Sequence, residues 1–125
     1  MSPRKRITDV VDKSEPPFGS PYVLAIAVVD GPDRHAIHRI TKPETVVGAS
    51  EDADFMVDDP HISGKHFKVR VNGHLYSLID LGSTNGTRLN KNLLSANSPV
   101  RLKNFDEIEA GHTRFLFIAN RFRTD

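Results

Sequence analysis

Two Asn-Gly pairs, Asn72-Gly73 and Asn85-Gly86, punctuate short runs of alternating apolar and polar residues, and this pattern restricts the fold more than any other feature. Asn-Gly supplies the positive φ values that a two-residue hairpin turn needs. Before the first pair, Phe67, Val69 and Val71 alternate with Lys68 and Arg70, and the strand pattern resumes over residues 75–81. Strict alternation of this kind buries one face of a strand and wets the other. No window carries a 3.6-residue apolar period of useful length. The chain is therefore expected to be all-β.

Further short runs fit the same scheme. Residues 22–29 are apolar and β-branched and stop at the turn cluster Asp30-Gly31-Pro32-Asp33. Residues 35–40 alternate around Ala36 and Ile40, 45–47 follow Pro43, and 55–57 form another run. Residues 100–102, 107–109 and 114–119 complete the set, the last with Phe115 and Phe117 on one face. About ten to eleven short strands at close spacing predict a β-sandwich. At 125 residues this is one domain with enough chain to bury a core. Residues 21–120 are assigned to it. Residues 1–20 are read as a disordered, flexible N-terminal tail, because they mix charge with Pro3, Pro16, Pro17, Gly19 and Ser20 and show no apolar period.

Charge narrows the function. The net charge is +1, and beyond the tail 13 basic residues face 13 acidic ones, which argues against a nucleic-acid surface. The longest apolar run, residues 22–29, is too short to span a bilayer. The basic start Arg4-Lys5-Arg6 leads into Thr8-Asp9 and not into an apolar signal segment. With no cysteine, disulfides and thiolate chemistry are excluded and a cytoplasmic location is expected. His35 and His38, three apart on an expected strand, point to opposite faces and make no metal pair. No nucleophile–base pair is evident, and Asp58-Asp59 is read as solvated charge in a turn. An enzyme, a metal and a cofactor are all unexpected.

The polar motifs fall in the segments between strands, at residues 48–54, 58–64 and 82–86, where a rigid sandwich carries recognition loops. Val47-Gly48, Ser63-Gly64-Lys65-His66 and Asp80-Leu81-Gly82-Ser83-Thr84-Asn85-Gly86-Thr87 stand at characteristic spacing. With Phe105-Asp106-Glu107-Ile108 and Gly111-His112-Thr113, they resemble the forkhead-associated (FHA) domain from about residue 22 to residue 117. The resemblance implies an FHA/SMAD-like sandwich that reads phosphothreonine peptides through loops gathered at one end. It implies that Ser63 donates to a phosphate oxygen while Thr84 and Asn85 shape the pocket and bond the peptide backbone. Gly64, Lys65 and Ser83 complete the expected phosphopeptide-binding set. Gly48, His66 and Gly86 are expected to support the binding loops.

One position departs from the family pattern. Where members carry Gly-Arg, this chain has Gly48-Ala49, so a charge-assisted grip on phosphate is missing. Losing such a bond costs about 1.5–3 kcal/mol, or roughly 10- to 100-fold in affinity. Lys65, Arg88 and Lys91 are the substitute cations the sequence offers. Two readings follow: a phosphate-independent interaction module on the same scaffold, or a phosphothreonine reader whose ligand is held close. The tail suits the second. Thr8 is its only threonine, follows Arg4-Lys5-Arg6 as in many serine/threonine kinase substrates, and has Val11 three places on. An acidic rim of Glu51, Asp52, Asp54, Asp58 and Asp59 would complement the basic run. The expected partners are an upstream serine/threonine kinase and a phosphothreonine segment, either this tail in cis or in trans or another kinase substrate. Nucleic acid and membrane are not expected. The chain would act as a free adaptor or as the input domain of a longer protein.

Overall fold

The computed structural model describes residues 22–121; the tail, with Thr8, lies outside them. Eleven strands follow one another: β1 (Tyr22–Asp30), β2 (Ile37–Arg39), β3 (Glu44–Gly48), β4 (Phe55–Met56), β5 (Phe67–Asn72), β6 (Leu75–Asp80), β7 (Thr87–Leu89), β8 (Asn92–Leu93), β9 (Val100–Leu102), β10 (Glu107–Ala110) and β11 (Thr113–Arg121). They form two facing sheets, β2-β1-β11-β10-β7-β8 and β4-β3-β5-β6-β9. All pairings are antiparallel except β3 with β4. Among the described residues no helix is long and apolar enough to cross a membrane.

The core is the set of inward positions that alternation marks. Leu24, Ile26 and Val28 of β1 meet Phe115 and Phe117 of β11, and Val47, Phe67, Val69 and Leu78 approach from the second sheet. Phe67 and Phe115 meet edge to face at 5.3 Å across the sheets, an arrangement favoured by the ring quadrupoles.

Turn chemistry departs from the sequence reading in three places. The β5–β6 hairpin pairs Asn72 with Leu75, so the turn residues are Gly73-His74 and Gly73, at φ 63°, takes the first corner. Asn85-Gly86 closes no hairpin; it ends the crossover from β6 to β7, which lie in different sheets. The β7–β8 hairpin, unexpected from sequence, turns on Asn90 and Lys91 at φ 48° and 77°, the positive pair of a type I′ turn made without glycine. His35 also corrects an expectation. At φ 85° it stands outside β2, so only His38 is a strand residue, and its ring stacks on Phe55 at 5.2 Å.

Register sets the polarity of the sandwich. Tyr22 pairs with Arg121 at one end of the long β1–β11 pair, and Asp30 with Arg114 at the other. The chain thus enters the domain at one end, and the β10–β11 turn at Gly111-His112 stands at the opposite end.

Candidate functional site

Three loops meet at that opposite end. The first follows β3, the second joins β4 to β5, and the third crosses from β6 to β7.

The second and third loops are built around buried carboxylates. Asp59, only 2% exposed, accepts hydrogen bonds from the N–H of His61 (2.8 Å), the N–H of His112 (2.8 Å) and the hydroxyl of Thr113 (2.7 Å). It ties the second loop to the β10–β11 turn. Asp80, 3% exposed, accepts from the N–H groups of Gly82 and Ser83 and from the hydroxyls of Ser83 and Thr87, at 2.6–3.2 Å. For both aspartates burial alone pushes the carboxyl up. The hydroxyl and backbone donors outweigh it, so each titrates below the usual carboxylate range.

The burial of Asp59 corrects the expectation of solvated charge at this position. Asp54 also leaves the rim, since it pairs with Lys42 and accepts the Val46 N–H at 2.7 Å. Glu51, Asp52 and Asp58 remain exposed.

His66 joins the two loops. Its ring is fully buried; Nδ1 accepts the Ser63 N–H at 2.9 Å and Nε2 lies 2.8 Å from the Gly86 carbonyl oxygen. With Nδ1 accepting, the ring is the Nε2–H tautomer and Nε2 donates to Gly86. The first loop is held by main chain instead: Ala49 N–H donates to Ser63 O at 3.0 Å and Ser50 N–H to Gly64 O at 3.1 Å. The contact is so close that a Cβ on Gly48 would stand 2.0 Å from the Gly64 oxygen.

Ser63 sits where these supports converge. Its N–H is taken by His66, its carbonyl by Ala49, and its Oγ accepts the Thr84 N–H at 3.0 Å. The hydroxyl proton is the one polar group of Ser63 without a partner among the described residues. Beside it Asn85 donates Nδ2–H to the His61 carbonyl at 2.9 Å, with Thr84 and Asn85 both exposed. Ser63, Thr84 and Asn85 therefore form one cluster.

Ser83 turns the other way: its hydroxyl donates to Asp80 and accepts the Gly86 N–H at 3.0 Å, so it holds the loop in shape. Gly86, at φ 84°, makes the left-handed step out of the loop. Gly64 is open, its added Cβ meeting only Ser50 at 3.5 Å.

The three cations differ in place. Arg88 sits opposite Glu109 in the β7–β10 register, is exposed and lines the cavity beside Asn85, and Lys91, at the far tip of the β7–β8 hairpin, lies 3.9 Å from Glu109. Lys65 is exposed, stands on the Ser63 loop, and is in no ion pair among the described residues.

Sequence reasoning missed several members of this end of the molecule. A shallow cavity of about 160 Å³ opens beside Asn85, lined also by Gly86, Arg88, Glu109 and Gly111. His61 of the second loop and His112 of the β10–β11 turn stack at 3.9 Å. Gly111 was the available signal: at φ 58°, an added Cβ there would strike Ile62 at 2.8 Å. Among the described residues no group of three His, Asp or Glu side chains could hold a metal.

Known proteins carry the same arrangement of sequence and fold. The family model described as FHA domain matches residues 45–111. An oxoglutarate dehydrogenase inhibitor of Corynebacterium jeikeium is 37% identical over 101 residues, spanning 80% of this chain and 68% of its own. The glycogen accumulation regulator GarA of Mycolicibacterium smegmatis is 34% identical over 101 residues, spanning 80% of this chain and 62% of its own. An FHA domain solved in a study of phosphothreonine-dependent interactions superposes with a TM-score of 0.72 at 25% identity, over 80% of this chain and 99% of its own.

Proposed function

The chain belongs to the FHA domain family, and on that premise we propose that it is a regulatory module that reads a phosphothreonine segment through Ser63, Thr84 and Asn85. Domains of this family are non-catalytic interaction modules, and its relatives are an inhibitor and a regulator. The observation that carries the reading is the Ser63 hydroxyl, aligned by the Thr84 N–H and left with its proton to donate. A phosphate oxygen is the acceptor that suits it, and a charge-assisted bond of this type contributes about 1.5–3 kcal/mol. Asn85 beside it offers amide groups to the peptide backbone. Lys65, exposed on the same loop, and Arg88, exposed beside Asn85, are the substitutes for the cation absent at Ala49, the lysine acting as a point charge and not as a planar fork.

The preferred ligand is the chain's own tail phosphorylated on Thr8 by a serine/threonine kinase, with a cytoplasmic location to match. Tethering gives an effective concentration of order mM for a short linker, which offsets the affinity lost with the arginine. The second reading is a phosphate-independent interaction module, and Ala49 is the observation that favours it. Titration calorimetry of the unphosphorylated chain with a peptide of residues 1–15, with and without phosphate on Thr8, separates the two. Binding of the phosphorylated peptide alone, abolished by Ser63→Ala, is expected. Equal binding of both peptides transfers the case to the second reading, and no binding of either removes the tail as ligand.

A further inference from the structure

The outer face of the second sheet concentrates positive charge that the chain as a whole does not have. Phe67, Val69 and Val71 of β5 and Leu78 of β6 belong to the core, so alternation turns Lys68, Arg70 and Ser77 outward. Register then lines up Glu44, Arg70, Ser77 and Arg101 across β3, β5, β6 and β9. Lys68 is the next outward position on β5, and Lys103, exposed, follows the last residue of β9. These four cations stand with one carboxylate, Glu44, in a chain of net charge +1. On the β4 side Lys42 and Asp54 pair with each other.

Glu44 leaves most of this charge unanswered. It takes Lys68 Nζ at 3.1 Å and Arg70 Nε at 3.2 Å. Arg101 and Lys103 are in no ion pair among the described residues. With strands about 4.8 Å apart, Arg70 and Arg101 flank the neutral Ser77 roughly 10 Å from each other.

The end of β9 adds a residue that works against the stability of the fold. Phe105, two places beyond Lys103, has φ 71° and is 58% exposed. A bulky side chain in the left-handed region is strained, and glycine would adopt this φ freely. Leu75, 51% exposed, precedes Tyr76, the residue that pairs with Leu102. An aromatic kept exposed at a strained position suits the anchor of a protein contact, where a few such residues carry most of the binding energy.

We infer that this face docks an acidic protein segment bearing an apolar residue, its carboxylates on Arg70, Arg101 and Lys103 and its apolar side chain against Phe105 or Leu75. Guanidinium forks match carboxylates in plane and spacing. A nucleic acid fits less well. Four cations are few beside the roughly six to ten phosphate contacts of a duplex-binding surface, and Glu44 in the same row repels a continuous phosphate backbone. The surface is a sheet face and the phosphothreonine reading concerns the loop end, so the two stand independently.

The test titrates the whole unphosphorylated chain with a short peptide of glutamates around one leucine and follows backbone amides by NMR. The peptide should shift residues 68–77 and 101–105, with an affinity that falls as salt rises. Its glutamine counterpart should not bind. Arg101→Glu and Phe105→Gly should each weaken binding about tenfold, the factor corresponding to about 1.4 kcal/mol. Both residues are exposed, so neither change removes core, and thermal denaturation should find Phe105→Gly at least as stable as wild type.

Wild-type affinity in either variant, equal binding of the glutamine peptide, or shifts centred on Ser63 and Thr84 would overturn the inference. A short DNA duplex or a vesicle containing phosphatidylserine that binds the same residues more tightly at the same salt would overturn it by giving the face to another polyanion. Face shifts that appear on raising protein concentration alone would overturn it in favour of a second copy.

Discussion

The loop after β3 and the crossover from β6 to β7 reach the same end of the sandwich by different means. The crossover is organised by side chains: Asp80 gathers two N–H groups and two hydroxyls inside the protein. The loop after β3 is organised by backbone: Ala49 and Ser50 lean their N–H groups on Ser63 and Gly64, while Glu51 and Asp52 face water. A loop held by its main chain can exchange the side chain at position 49 without moving. A loop held by a buried carboxylate cannot change residue 80. The contrast means that the alanine at position 49, where the family resemblance implies an arginine, leaves the main-chain anchorage of this loop to Ser63 and Gly64 intact.

The most severe way to break the contrast is Asp80→Ala. It orphans four donors at once, at about 1–3 kcal/mol for each that stays buried, so a loss of about 4 kcal/mol is expected in urea denaturation, with the Ser63–Thr84 contact loosened. Gly48→Ala comes next. The added methyl would strike the Gly64 carbonyl, and overpacking of this kind costs about 3 kcal/mol. Gly64→Ala, with only Ser50 in ordinary contact, should change stability by less than about 1 kcal/mol.

Position 49 then sharpens the comparison from the other side. Ala49→Arg should leave the denaturation midpoint within about 0.5 kcal/mol. The same change should tighten phosphopeptide binding by about 10- to 100-fold, measured by calorimetry. An arginine that folds well and gains nothing would mean that the pocket no longer serves phosphate.

Acid gives the smallest effect. Asp59 and Asp80 both titrate below their ordinary value in the folded chain. Their stabilisation is therefore complete above the unfolded value near about pH 4 and is lost as pH falls through the folded values. Hydrogen exchange followed down through that range should free Gly82, Ser83 and His61 amides before those of Ala49 and Ser50. Simultaneous release would erase the distinction between the loops.

Much of this was legible in the residues. Alternation over 67–71 and 114–119 placed the inward faces correctly, because a strand half-buried in a sandwich writes its period directly into the chain. The family resemblance carried by the motifs around Ser63, Thr84 and Asn85 implied that these loops gather at one end. Local chemistry misled where context overrode it. Asn90 and Lys91 adopt positive φ with no glycine to announce the turn, because the pairing of β7 with β8 imposes it. Asp59 looked like exposed charge because nothing nearby in sequence shows that Thr113 and His112, more than fifty residues on, would enclose it.

The sequence by itself determined the fold class, most of the strands and the polar residues between them, since these depend on period and turn propensity along a few neighbours. The tertiary structure alone decided which carboxylates are buried and that, among the described residues, the Ser63 hydroxyl proton has no acceptor. Each of these depends on which distant strand lies alongside, and closure of a sandwich sets that by packing, not by any residue's own preference.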